Sequence, residues 1–171
     1  MTANAVRSAA GRFVDRVDVG QAPVDTVAVA RAIGLPLTRE PLEADVTGAL
    51  VTTPKGPALI LNARQPANRQ RLLVAHMIGH LQLGHRFPSL VHVERRFEAY
   101  RGERRYSAPE RLEFEANVFA GTLLMPTRLV RKALAAIAHE RLGDDDIQGL
   151  ATHFGVSVQG MTLRLSAAGL L

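Results

Sequence analysis

The sequence predicts an α+β fold: helices, a small antiparallel sheet of two or three strands, one long, largely buried helix, and a helical C-terminal part. Three observations predict it. Apolar residues recur at helical spacing through residues 4–17, 24–33 and 68–84. Between the second and third of these the period changes to alternation, through residues 35–42, 46–53 and 58–62. From Ser107 onward the helical period returns and is not displaced again.

Each element has its own signals. Val6, Ala9, Ala10, Phe13, Val14 and Val17 line one face of the first helix, which Gly20 and Pro23 terminate. A second helix starts near Val24 and Asp25 and stops at Gly34, since glycine accepts the left-handed backbone that closes a helix. Residues 35–42 alternate around Pro36 and Pro41. Residues 46–53 and 58–62 flank a Pro54-Lys55-Gly56-Pro57 turn and read as a hairpin. Leu72, Leu73, Ala75, Met77, Ile78, Leu81 and Leu83 make the next helix largely buried, up to Gly84. Residues 86–105 are basic and irregular, with Pro88, a Glu94–Arg96 charge cluster and Gly102, and read as a surface excursion. Ser107 with Glu110 three residues later, and Pro109 in the first turn, is a capping box that opens a helix to about Leu124, where Met125-Pro126 ends it. Thr127 is placed to cap a helix over 128–139. The acidic run 144–146 sits at the positive end of a helix over 147–154, Gly155 closes that helix, and Ser157 caps a last one over 158–168.

Composition excludes several classes of function. At 171 residues the chain is expected to form one domain, with a core over 1–126 and a helical tail over 127–171. No apolar run approaches the roughly 20 residues that span a bilayer. Residues 1–10 lack the apolar stretch of a secretory signal, so a cytoplasmic address is expected. The absence of cysteine excludes disulfides and thiolate metal sites, leaving His, Asp and Glu as the strong metal ligands. The formal charge of +5 comes mostly from arginine; it favours acidic partners or nucleic acid only weakly, and an arginine-rich proteome explains it equally well.

The chemistry concentrates in V-A-H-M-I-G-H-L-Q-L-G-H. His76 and His80 are four residues apart on a helix, so both imidazoles can be directed at one point, as a tetrahedral metal requires. The spacing alone is a weak signal. Its context strengthens it, because two histidines buried on an apolar helix are costly without partners and a metal satisfies both. For a third ligand, the helix after Ser107 offers Glu113 and Glu115, which point to different faces. Glu113 shares its face with Ala116, Asn117 and Ala120, which permit close approach of the histidine helix, so Glu113 is the preferred ligand and Glu115 a solvated or supporting residue. His85 reads as a helix-end or surface histidine, His92 as a weaker candidate still, and His139 and His153 as surface or capping residues.

The run E-F-E-A-N-V-F-A-G-T-L-L-M-P resembles the E-x-x-A-N-x-F-A-x-x-L-L-M-P motif of the ImmA/IrrE metallopeptidases, which cut helix-turn-helix repressors of the XRE type. N-R-Q-R-L-L-V-A-H-M-I-G-H-L and the preceding hairpin extend the similarity over most of the chain. The resemblance implies a zincin-like core, Zn2+ held by His76, His80 and Glu113, and Asn117 as the residue that orients a ligand. It also implies an XRE-family repressor or antitoxin as partner. This chain departs from the family's HExxH at Met77, where the glutamate that activates water and carries its proton belongs. Methionine exchanges no proton, and general acid–base help is worth about 10²- to 10⁴-fold, so hydrolysis is expected to be impaired while metal binding is not. Methionine also simply fills apolar space well. A displaced base at Glu115 or Glu94 has no support in the sequence.

Three functions follow as expectations. The first is a regulatory zinc-metallopeptidase-fold protein acting on such a repressor or antitoxin, a pseudoenzyme in effect. The second is an active endopeptidase that cleaves the repressor. The third is direct DNA binding by residues 150–165, L-A-T-H-F-G-V-S-V-Q-G-M-T-L-R-L, which have a helix-turn-helix pattern. Its second helix offers Gln159, Thr162 and Arg164 for base contacts, whereas Val158, Met161, Leu163 and Leu165 read as packing residues.

Overall fold

The structure, a computed structural model, describes residues 1–85, 89–93, 108–137 and 142–171, with only the backbone described for 89–93 and Ala108. The expectations for Ser107, for Glu94, for His139 and for the side chain of His92 lie outside the described residues, as does most of the 86–105 excursion. Two compact units are present, one of residues 26–117 and one of residues 1–25 with 118–171. Among the described residues no helix is long and apolar enough to cross a membrane.

The 26–117 unit carries the sheet. Helix α2 (Thr26–Ala32) is closed at Gly34 and leads into β1 (Leu37–Glu40), β2 (Val46–Thr53) and β3 (Gly56–Asn62). The expected hairpin is β2–β3, antiparallel from Gly48↔Leu61 to Thr53↔Gly56. The expected all-antiparallel sheet has one departure: β1 joins the free side of β3 in parallel, from Leu37↔Leu59 to Glu40↔Asn62. Alternation marks a strand but does not say which edge it joins. Part of the stretch read as an irregular excursion is also a strand, β4 (Ser89–Val93), antiparallel to β2 with a register shift between Val46 and Gly48. An open edge supplies the backbone bonds that local sequence did not announce. The order is β1-β3-β2-β4.

Helix α3 (Ala67–Gln82) lies on this sheet, and Gly48 shows how closely. A Cβ at that position would stand 2.5 Å from the Ile60 carbonyl oxygen and 2.5 Å from Leu73 Cδ2. Gly48 and Leu50 face Leu61 and Leu59 across the ladder, and all three leucines are buried. The β3–α3 link is fixed by Asn62, which is fully buried. Its Oδ1 accepts from the backbone N–H of Leu42 and Arg64, and its Nδ2 donates to the carbonyls of Glu43 and Val46. Every hydrogen-bonding capacity of that amide is thus used. Gln65 Nε2 adds a bond to the Ala44 carbonyl at 3.0 Å, and Gln70 Nε2 one to the Gln65 carbonyl at 2.8 Å. The start of α3, and with it the phase of the helix, is therefore set by side-chain bonds.

Helix α3 is buried without interruption from Leu73 to His80, so it shows little amphipathic contrast. It ends in a Schellman motif. Gly84 takes the left-handed conformation, φ 70°, its N–H donates to the Leu81 carbonyl, and the His85 N–H donates back to the His80 carbonyl at 3.0 Å. The chain reverses there and brings residue 85 beside residue 80. Helix α4 (Ala108–Leu124) begins where the capping-box pattern placed it and contributes its residues through Asn117 to this unit.

In the other unit, α1 (Ala3–Arg16) is capped by Thr2, and Phe13 packs on Phe119 of α4 with ring centroids 5.4 Å apart. Helix α5 (Thr127–Leu134) is shorter than the expected 128–139, and Thr127 is its first helical residue rather than its cap; Pro126 holds the cap position. Helix α6 (Asp144–Phe154) starts earlier than expected, so the three aspartates form its first turn, and Asp146 accepts from the Gly143 N–H. Gly155 and the Ser157 cap, which accepts from Gly160 N–H at 3.1 Å, lead into α7 (Val158–Ala167) as expected. Met161 and Leu165 are buried, whereas Val158 and Leu163 are exposed. Arg164, read as a base-contacting residue, is buried instead. Its Nε donates to the Met125 carbonyl and its Nη2 to Thr127 Oγ1, so it completes the end of α4, where a cation is favoured.

Candidate metal centre

His76 and His80 lie one turn apart on α3 and are 1% and 0% exposed. Facing them is Glu113, from the first half of α4. Three donor atoms converge: His76 Nε2 and His80 Nε2 are 2.9 Å apart, His76 Nε2 and Glu113 Oε2 are 3.1 Å apart, and His80 Nε2 and Glu113 Oε1 are 3.4 Å apart. Ligand atoms around one tetrahedral zinc at ~2.0–2.1 Å are separated by ~3.3 Å, so these spacings fit a single ion with small adjustments. These three residues form a group able to hold a metal ion.

The protonation of the group agrees with that chemistry. Burial lowers the pKa of His80 below 6.5; contact with Glu113 opposes the shift, and His76 and His85 nearby add to it. A neutral imidazole, the form that ligates metal, results. For Glu113 burial acts to raise the pKa, but the two imidazole contacts outweigh it and hold the carboxyl well below the usual carboxylate range. His76 Nδ1 stands 2.8 Å from Asn117 Oδ1. An amide oxygen only accepts, so His76 Nδ1 is the donor to Asn117, and Nε2 is the nitrogen left facing the site.

The sequence-predicted residues His76, His80, Glu113 and Asn117 are therefore brought together. Met77 is fully buried on α3 beside His76. Glu115 is engaged elsewhere, 3.1 Å from His85 Nε2 and 3.8 Å from Arg111 Nε, and is not placed among the three donor atoms. His85, read as a helix-end or surface histidine, does sit at the end of α3, but sequence reasoning missed its burial and its contact: its side chain is 5% exposed, and its Nδ1 lies 2.9 Å from His80 Nδ1. The signal was Gly84, whose left-handed turn returns the next residue to the helix end. His153 is exposed near the end of α6 and meets only the edge of its neighbour Phe154 among the described ring contacts. A separate cavity of about 450 Å3, in the other unit, is lined by residues including Arg7, Asp15, Arg128 and Arg164, and by none of the donor residues. The chemistry is thus located by the donor set and not by concavity.

Comparison with known proteins agrees with the geometry. No curated protein sequence matches. Among solved structures, a Mycobacterium tuberculosis transcriptional regulator is similar in fold, with a TM-score of 0.63 and 17% sequence identity. The similarity covers 95% of this chain and 46% of that one, so this chain spans about half the length of the regulator. The profile of the M78 peptidases, described as the IrrE N-terminal-like domain, matches residues 30–166, which include the sheet, both histidines, Glu113 and most of the C-terminal helices. This chain belongs to that family, the IrrE N-terminal-like M78 peptidases.

Proposed function

We propose that this protein is a regulatory metallopeptidase-fold domain that binds zinc through His76, His80 and Glu113 and acts on an XRE-type repressor or antitoxin, with hydrolysis impaired at Met77. The observation that carries the reading is the contrast within one helix turn. The donor atoms and the Asn117 support are in place, while the position of the proton-transferring glutamate holds a buried methionine. A bound zinc ion would supply Lewis acidity toward a peptide carbonyl and toward water. The chain's own residues would bind and orient: the two imidazoles and the Glu113 carboxylate would hold the ion, and Asn117 engages His76 through the far nitrogen. None of them is free to carry a proton from water to a leaving amine. Glu115, the nearest spare carboxylate by sequence, is committed to His85 and Arg111.

Control of a partner by binding requires no cleavage. The experiment pairs metal content with cleavage of the repressor encoded beside this protein. Wild type is expected to hold one zinc and to bind the repressor without cutting it. Met77→Glu is expected to hold zinc and to cut. Clean cleavage by wild type, abolished in Glu113→Ala, would establish the active endopeptidase instead. The DNA-binding reading loses one of its three base-contacting residues, because Arg164 is buried.

A further inference from the structure

His80 has its own support, and the argument for it runs through hydrogen-bond directions. The Glu115 carboxylate only accepts, and it lies 3.1 Å from His85 Nε2, so that nitrogen carries the proton. With Nε2 donating to Glu115, Nδ1 is the nitrogen of His85 that can accept. It stands 2.9 Å from His80 Nδ1, which must then be the donor. That leaves Nε2 of His80, directed at His76 Nε2 and Glu113, as the nitrogen available to a metal. His76 reaches the same state through Asn117. With Nδ1 of each imidazole engaged by its own partner, Nε2 of both is the nitrogen turned toward the centre, where a cation would take it.

We infer that Glu115 and His85 form a positioning relay that sets the tautomer and orientation of His80 for metal binding, as Asn117 does for His76. The inference rests on the zinc reading above. The relay lies on the far side of His80 from the other ligands, so it acts through His80 and touches neither metal nor substrate. Its burial supports the role: the side chains of His85 and Glu115 are 5% and 4% exposed, and a polar pair so enclosed is costly unless each bond is made. The Schellman turn at Gly84 is what puts His85 there, so the relay is a product of how α3 ends.

Two variants test it. His85→Phe keeps a ring of similar size and removes both hydrogen bonds, whereas His85→Gln retains an acceptor for His80 and a donor for Glu115. The readouts are the 15N shifts of the histidine rings in metal-free protein, zinc affinity by competition with a chromogenic chelator, and circular dichroism to confirm folding. In wild type, His80 is expected to carry its proton on Nδ1. His85→Phe should mix the His80 tautomers and weaken zinc binding about 10- to 100-fold, and His85→Gln should restore most of both. A wild-type His80 protonated on Nε2, or a folded His85→Phe that binds zinc as wild type does, overturns the relay. If His85→Phe does not fold, His85→Gln decides, because zinc affinity tenfold below wild type in that variant overturns the relay too. A wild type that shows the assigned tautomer yet binds no zinc supports the relay and overturns the zinc function, so the two failures are distinguishable.

Discussion

Replacing Gly48 by alanine tests how α3 is seated, and the cost can be worked from two contacts. The added methyl would meet the Ile60 carbonyl oxygen and Leu73 Cδ2, each at 2.5 Å, almost an ångström inside ordinary contact. The oxygen belongs to the backbone of β3, held in the ladder where Ala49 pairs with Ile60, so it cannot withdraw without disturbing the hairpin. Leu73 is 3% exposed and has little room to rotate. Overpacking of a well-filled core costs about 1–3 kcal/mol, and one rigid neighbour of the two puts Gly48→Ala in the upper half of that range. For a chain of this size about 2–3 kcal/mol lowers the melting temperature by about 4–12 °C. The assay is thermal unfolding of the metal-free protein, with Gly149→Ala as a control of opposite sign. Gly149 lies exposed in α6 with open space where its Cβ would be, so alanine there should stabilise by about 0.5–1 kcal/mol. A Gly48→Ala protein melting within 1 °C of wild type would refute the close seating of α3 on the sheet.

Other expectations concern the centre itself. Asn117→Ala should weaken zinc binding about 10- to 100-fold in a folded protein, while Asn117→Asp, which still accepts from His76 Nδ1, should bind nearly as wild type; chelator competition measures both. Gly84→Ala forces a side chain into a left-handed turn at a cost of about 1–2 kcal/mol and should loosen His85, visible as altered His80 ring shifts. Stability of the metal-free protein should fall as pH falls from neutral. His80 has a folded pKa below 6.5, so the unfolded chain takes up that proton first and the contribution is lost as pH drops through the folded value. Glu113, also lowered, adds a second loss of the same sign in the acid range below the ordinary carboxylate value. Denaturant titrations between pH 7.5 and 4 should show this fall, and a flat profile would contradict it.

Helix phase, hairpin and the candidate donor residues were legible because each is written locally. Asn4 onward, the histidine helix and the A-N-V-F-A run carry their period in adjacent residues; His76 and His80 stand at a spacing a straight helix decodes, and Glu113 shares a face with the small residues of its own helix. What was not legible depended on partners distant in sequence. The parallel placement of β1 depends on the free edge of β3, and β4 on the free edge of β2. The burial of Arg164 depends on the Met125 carbonyl, thirty-nine residues away. The burial of His85 beside His80 was missed for a different reason. A helical wheel extended past Gly84 puts residue 85 on another face from residue 80, but the helix stops and the left-handed glycine folds the chain back.

That reversal ties two short words of the sequence into one. H-x-x-x-H-x-x-x-G-H on α3 and E-x-E-x-N on α4 spell the candidate donor set together with a separate partner for each histidine. Length between His80 and Gly84 is then under as much constraint as residue identity, because one inserted residue would swing His85 about 100° around the helix axis. A relative that keeps G-H at that distance should keep the second acid of E-x-E, and one that loses either should lose both. The two words can be scored together in any chain, as a co-occurrence that needs no structure to look for.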